Sequence, residues 1–284
     1  MLDRLGEVID RHAVRLGQTT AVPRLLLSRN DDPVTVHDLA YEPMLCLVAA
    51  GAKHAEMGSR ASSVKRGEIS LSVVRAPVLV NFDVPYRAAV LRIDNSVLAA
   101  VIARTPRPRS DSRLVEDGFY TAGADRQLLH AVVRLVELLD QPEHVPMMAP
   151  LLEQEIIYRL LLGPVGFALR TSLGSGPHAP VRQVAAYLTD HADEPITIAD
   201  LTRLAGISAA SLQRHFRQVT GLSPMQFLRA ARLQRARQLL ATGERTAASV
   251  AHSVGYISPS QFSRDYRQRY GEPPRRHTRA ELGN

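Results

Sequence analysis

Two short segments near the end of the chain carry side chains that could read the edges of stacked bases. Gln213, Arg214 and Arg217 fall on the outward side of a segment that starts at Ser208. Gln261, Arg264 and Arg267 do the same in a segment that starts at Ser258. A guanidinium can donate two hydrogen bonds to guanine O6 and N7, and a carboxamide can pair with adenine. Around them lie Ala209 and Ala210 in the first segment and Pro259 and Ser260 in the second. Serine hydroxyls and the free amides of a helix N-terminus suit phosphate.

Such side chains need elements that hold them, and the sequence supplies these twice. Ser208, Leu212 and Phe216 recur fifty residues later as Ser258, Phe262 and Tyr266, while Leu201 and Ala205 recur forty-nine later as Val250 and Val254. Each copy reads as a helix, a tight turn and a second helix with a buried inner face and a polar outer one, over 197–220 and 246–271. Thr197 with Asp200 makes a capping box, and Gly206 and Gly255 allow the turns. Ser258-Pro259 starts the second reading helix, with Gln261 placed to complete its own box, and Gly271 ends it. Between the units, Ser223-Pro224 opens a long helix with Phe227, Ala231, Leu233, Ala236, Leu239 and Leu240 as its apolar positions. This predicts a stiff spacer that places two helices in successive major grooves, roughly 34 Å apart.

Charge agrees with that placement. The chain has 284 residues and a formal charge of +7. Residues 1–178 hold 20 basic and 20 acidic side chains, whereas 179–284 hold 15 and 8, and all 15 are Arg. A basic module joined to a neutral one fits phosphate binding in the second alone. The only cysteine, Cys46, excludes an internal disulfide framework and fits a reducing, cytoplasmic setting. No apolar stretch has the length of a membrane span, and the first residues lack a signal peptide's apolar core.

The first half changes period. After an amphipathic helix over 1–17, short β-branched runs between about 24 and 94 alternate with Gly and Pro, the pattern of a sandwich or small barrel. Helical spacing returns after Asn95 in SVLAAVIAR, ADRQLLHAVVRLVELLDQ and MMAPLLEQEIIYRLLLG. The helix over 125–141 is the candidate self-association face. The segment GSGPHAP has the content of a flexible joint, which puts a linker at 176–180 between a domain over 1–175 and one over 181–284.

Residues 205–240 and 250–274 resemble the AraC/XylS class of bacterial transcription regulators, through AGISAASLQRHFRQVTGLSPMQFLRAARLQRARQLL and VAHSVGYISPSQFSRDYRQRYGEPP. Pro273 and His277 depart from that class, where a Ser or Thr and an aromatic are usual. The pieces TAVPRLLLSR, YEPMLCLVAAGAKHAEMG and PLLEQEIIYRLLLGP are similar to one effector-domain subclass. The resemblance implies an α+β chain: a cupin-like β-barrel over about 20–95, dimerisation helices over about 95–165, and an all-α double helix-turn-helix domain. It also implies a homodimer that binds double-stranded DNA at the nucleoid, a small effector in the barrel, and RNA polymerase as a partner if it activates.

Cys46, Tyr86 and Arg92 are the candidate effector residues. Cys46 on a strand is first a packing residue and second a redox sensor. No catalytic function, cofactor or metal is expected. The strand region holds only His37 and His54, not closely spaced, and neither a phosphate loop nor a G-x-S-x-G elbow occurs. Asp31 and Asp32 before Pro33 read as a turn. Two other readings remain open: a ligand-independent architectural DNA binder, and a cupin enzyme fused to a DNA module.

Overall fold

The computed structural model describes residues 1–284 except 42–43, 73, 75, 107–118, 173–178, 243–245 and 276–284, and for 37–41 and 76 the backbone alone. An N-terminal sheet with flanking helices is followed by a helical C-terminal part. The first helix, α1 (Leu2–His12), buries Leu5, Val8 and Ile9 against the sheet.

Two long strands make the spine of the sheet. They are β4 (Met44–Met57) and β7 (Ala76–Arg92), paired antiparallel almost along their full length. At one end β1 (Gln18–Thr19) and β2 (Leu25–Asn30) extend the sheet beyond β7, while β6 (Glu68–Ser72) and β8 (Phe119–Gly123) extend it beyond β4. At the other end β3 (Thr35–Tyr41) pairs with β7 and β5 (Arg60–Lys65) with β4. All eight strands run antiparallel, and among the described residues no ladder joins β1 to β8.

The spine bends where its register slips, between Val48 and Ala52 on β4. Gly51 sits in the slip with φ +69°, and a Cβ there would come within 2.1 Å of the Asp83 carbonyl oxygen. Only the residue without a side chain lets the strands cross so closely. Pro85 lies opposite this slip, where a missing N–H costs no ladder bond. β7 therefore runs unbroken through Pro85, where the alternation of short runs with Gly and Pro suggests an interruption.

Three helices cover the sheet domain. They are α2 (Asn95–Arg104), α3 (Arg126–Glu137) and α4 (Val145–Leu162). Asp94 and Asp125 cap the first two through N–H groups two and three residues on. α4 is fixed to the sheet by its buried Glu153, which accepts two hydrogen bonds from Arg24, one at 2.9 Å. Arg24 itself has φ +63°. The turn expected at Asp31–Asp32 is not made, since β2 and β3 follow successive parts of β7 in one direction; instead Asp31 pairs with the buried Arg87 at 2.7 Å while Arg87 also holds Asp10 of α1.

α5 (Gly166–Ser172) ends this half, and α6 (Ala179–Asp190) begins the next. Most of the expected joint lies outside the described residues. The second half continues with α7 (Ile198–Ala205), α8 (Ala209–Thr220), α9 (Pro224–Ala241), α10 (Ala247–Ser253) and α11 (Pro259–Tyr270).

Gly51→Ala is expected to destabilise the fold by about 2–3 kcal/mol or more, since it combines a left-handed backbone with a backbone clash. Urea denaturation of the purified protein measures this, and a loss under about 0.5 kcal/mol would contradict the close crossing.

Candidate nucleic-acid interface

Both helix pairs are built as the spacing predicts. Thr197 and Asp200 form a reciprocal capping box on α7, and Gly206 takes φ +65° to turn into α8. Ser208 caps α8 by accepting from the Ser211 N–H. Thr246 caps α10, and Ser258 caps α11 by accepting from the Gln261 N–H. The return bond that would complete the Ser258–Gln261 box is not made, which leaves the Gln261 carboxamide exposed and outward. A box does form at Ser223 and Gln226 on α9, where none was read from sequence.

The inner faces are sealed by aromatic contacts. Leu212 and Phe216 of α8 are fully buried, and Phe216 meets Phe227 of α9 edge-on at 5.3 Å. In the second unit, Tyr256, Phe262, Tyr266 and Tyr270 form a chain of ring contacts at 4.5–5.5 Å. Each such pair adds to simple area burial.

The outer faces hold what the sequence placed there. Ala209, Ala210, Gln213, Arg214 and Arg217 are exposed on α8. Ser260, Gln261, Arg264 and Arg267 are exposed on α11, with Ser258 and Pro259 half-buried at its start. Among the described residues, Arg214, Arg217, Arg264 and Arg267 make no ion pair. Their charge is available to an anionic partner.

The arginines of the spacer are different. Arg232 of α9 donates to the Ala192 and Glu194 carbonyls at 2.7 and 2.8 Å, and Arg235 pairs with Asp193 at 2.6 Å. Arg237 lies over the Tyr270 ring, 5.2 Å from its centre. Arg229 pairs with Asp265, a buried carboxylate on α11 that also accepts from the Tyr256 hydroxyl at 3.2 Å. Burial and the neighbouring carboxylate together push the Tyr256 phenol up, so it stays a neutral donor. Composition could not separate these structural cations from the exposed ones on α8 and α11, because all are Arg.

The candidate effector residues divide. Cys46 and Tyr86 are buried together, with Sγ and Oη 3.7 Å apart. Arg92 is exposed at the end of β7, so the structure removes it from any interior site. Lys53, not singled out from sequence, is buried on β4, donates to Ser70 at 3.0 Å and lies 5.7 Å from the centre of the Phe119 ring. A strand lysine at an inward position was the available signal. His54 faces outward and meets Asp83 at 3.0 Å, while the His37 side chain lies outside the described residues. Among the described residues no group of three metal-binding side chains converges, and no helix is long and apolar enough to cross a membrane. Pro273 is exposed, and His277 lies outside the described residues.

Comparison with known proteins now decides the family. Residues 21–168 match the AraC-type transcriptional regulator N-terminus, and residues 201–280 match a helix-turn-helix domain. The chain belongs to the AraC-type transcriptional regulators. It is 28% identical over 241 residues to the thc operon regulatory protein of Rhodococcus erythropolis, covering 74% of this chain and 72% of that one. It is 30% identical over 155 residues to the transcriptional activator RhaS of Escherichia fergusonii, covering 53% of this chain and 54% of that one. The chain thus spans only about half the length of RhaS. The fold is that of ToxT from Vibrio cholerae, solved with an unsaturated fatty acid bound, with a TM-score of 0.57 over 90% of this chain and 93% of that one at 11% identity. This AraC-type regulator is therefore a DNA-binding protein with an effector-type N-terminal half.

Asp265→Ala should leave Arg229 and Tyr256 without their shared acceptor and cost the second unit about 1–3 kcal/mol, chiefly through the unpaired Tyr256 hydroxyl, because the half-exposed Arg229 is rehydrated. Hydrogen exchange on α10 and α11 measures this against α8. Equal protection of both units in the variant would contradict the lock.

Proposed function

We propose that the exposed faces of α8 and α11 read two successive major grooves of a promoter, and that a small effector bound in the N-terminal sheet controls this. The observation that supports it is the division of arginines. Arg229, Arg232 and Arg235 of the spacer are bonded within the protein, whereas among the described residues Arg214 and Arg217 of α8 and Arg264 and Arg267 of α11 make no ion pair and share their faces with Gln213 and Gln261. Arg214 and Arg264 have the chemistry for base edges, and Arg217 and Arg267 that for phosphates. The protein acts as a cytoplasmic, nucleoid-bound homodimer without catalytic function, and contacts RNA polymerase where it activates.

Arg214→Ala and Arg264→Ala are each expected to weaken binding to a selected duplex by about 1–3 kcal/mol and to relax preference at one position. Arg217→Ala should weaken binding to all sequences alike and make the salt dependence shallower by about one counterion. Arg232→Ala should leave that salt slope unchanged. Fluorescence anisotropy of full-length protein on a duplex recovered by in vitro selection, across a salt series, gives all four. A wild-type response nearly flat with salt would reject the reading.

For the effector, the reading rests on the buried polar groups Lys53, Ser70, Cys46 and Tyr86 in the sheet. An ammonium there suits an organic acid with an apolar body, and ToxT, which shares the fold, was solved with an unsaturated fatty acid. An unsaturated fatty acid at about 100 times its Kd should stabilise the protein by about 2.7 kcal/mol, seen as a rise in Tm. Lys53→Met should remove that rise while keeping the fold. No rise in the wild type would exclude this class of effector and leave the DNA reading untouched.

A further inference from the structure

The second turn is one residue longer than the first, and the added residue changes what faces outward. Gly206, Ile207 and Ser208 connect α7 to α8, whereas Gly255, Tyr256, Ile257 and Ser258 connect α10 to α11. An apolar residue just before a helix cap often packs on the fourth residue of the helix and so fixes how the chain enters it. In the first unit Ile207 holds that place, half-buried against the core that contains Leu212. In the second unit the work passes one residue back. Tyr256 is buried, and its ring meets that of Phe262, the fourth residue of α11, at 5.3 Å. Ile257, directly before the Ser258 cap, is displaced outward and is 95% exposed, more than any other large apolar side chain among the described residues. Single exposed apolar side chains are ordinary on a protein surface. This one stands at the N-terminal end of a reading helix, the end whose residues approach base edges.

We propose that Ile257 is a specificity-determining residue of the second unit, and that its side chain packs on the C5 methyl of a thymine in the major groove. The inference deepens the reading of α11 as a groove-reading helix and rests on it. Base edges in that groove offer hydrogen-bonding groups and one methyl, that of thymine, so an aliphatic side chain finds a partner of its own kind there at a single base. A protein partner would call for an apolar patch rather than one side chain. The exposed residues nearest to Ile257 in sequence are His252, Ser260 and Gln261, all polar. The fold itself draws nothing from Ile257, because Tyr256 already seals the entry to α11, so the side chain can change without disturbing the core. The two units then differ in what they sense. Ile207 is held against the first core, and α8 has no counterpart at this position.

The test uses full-length protein and a duplex recovered by in vitro selection with the wild type. Each thymidine is replaced in turn by deoxyuridine, which removes the C5 methyl and nothing else. One replacement should weaken wild-type binding about four-fold, the worth of one buried methyl group. Ile257→Ser should bind the parent duplex about four-fold more weakly and lose its response at that one position, while Ile257→Val keeps the response. A wild type indifferent to every replacement, or an Ile257→Ser protein that responds as the wild type does, would overturn the contact. So would an Ile257→Ser protein that binds every duplex normally but fails to support transcription in vitro, since the side chain would then meet a protein. Arg264→Ala, measured on the same duplexes, keeps the two readings apart. If it weakens binding and Ile257→Ser does not, only the thymine contact fails; if neither does, α11 is not the reading helix.

Discussion

One helix belongs to two hydrophobic cores, and the geometry of the reading surface follows from that. The first half of α9 gives Phe227, Leu228 and Ala231 to the large core that runs from the sheet through α6, α7 and α8. Its second half gives Leu233, Ala236 and Leu240 to a separate core shared with α10 and α11. A rod buried at both ends cannot turn about its axis without opening one core, so the two units hold a fixed mutual rotation. Its arginines strengthen this from outside. Arg232 and Arg235 fasten the rod to the loop before α7, and Arg229 fastens it to α11 through Asp265.

The same division sets the relation between sensing and reading. The first unit is continuous with the sensor's core, whereas the second is connected to it chiefly through α9. A change in the sheet therefore reaches the first unit through packed side chains and the second through the rod. A half-open cavity of about 370 Å³ lies along this path, lined by Glu56 and Leu79 of the sheet and by Gln226, Arg229 and Asp265 of the reading half.

The reading half was largely legible because its signals are local. Caps, a glycine turn and an apolar pair four residues apart each act within one or two turns of chain, and Thr197, Gly206, Ser208 and Ser258 stand where those rules put them. The sheet was legible in kind but not in connection. Pro85 is a turn signal by itself, and only the slip in the facing strand makes it compatible with a continuous β7. β5, RASSVK, lacks apolar alternation because its inward positions are Arg60, Ser62 and Val64, of which only Val64 is buried, and β8 follows a stretch read as helical. Arg92 was misplaced because a strand's period gives two faces without saying which is inside. Lys53 was missed for the same reason.

One contact between the halves has no side-chain identity. Gly58, in the turn between β4 and β5, meets Gly221 at the end of α8, and a Cβ on either would fall within about 2.5 Å of the other segment's backbone. Ser59 N–H reaches the Gly221 carbonyl at 3.4 Å. Because main chain touches main chain, the join is blind to the residues that give each half its specificity. The lining of the sheet can drift toward a new chemical signal, and the groove-facing residues toward a new operator, while the mechanical coupling between them stays as it is.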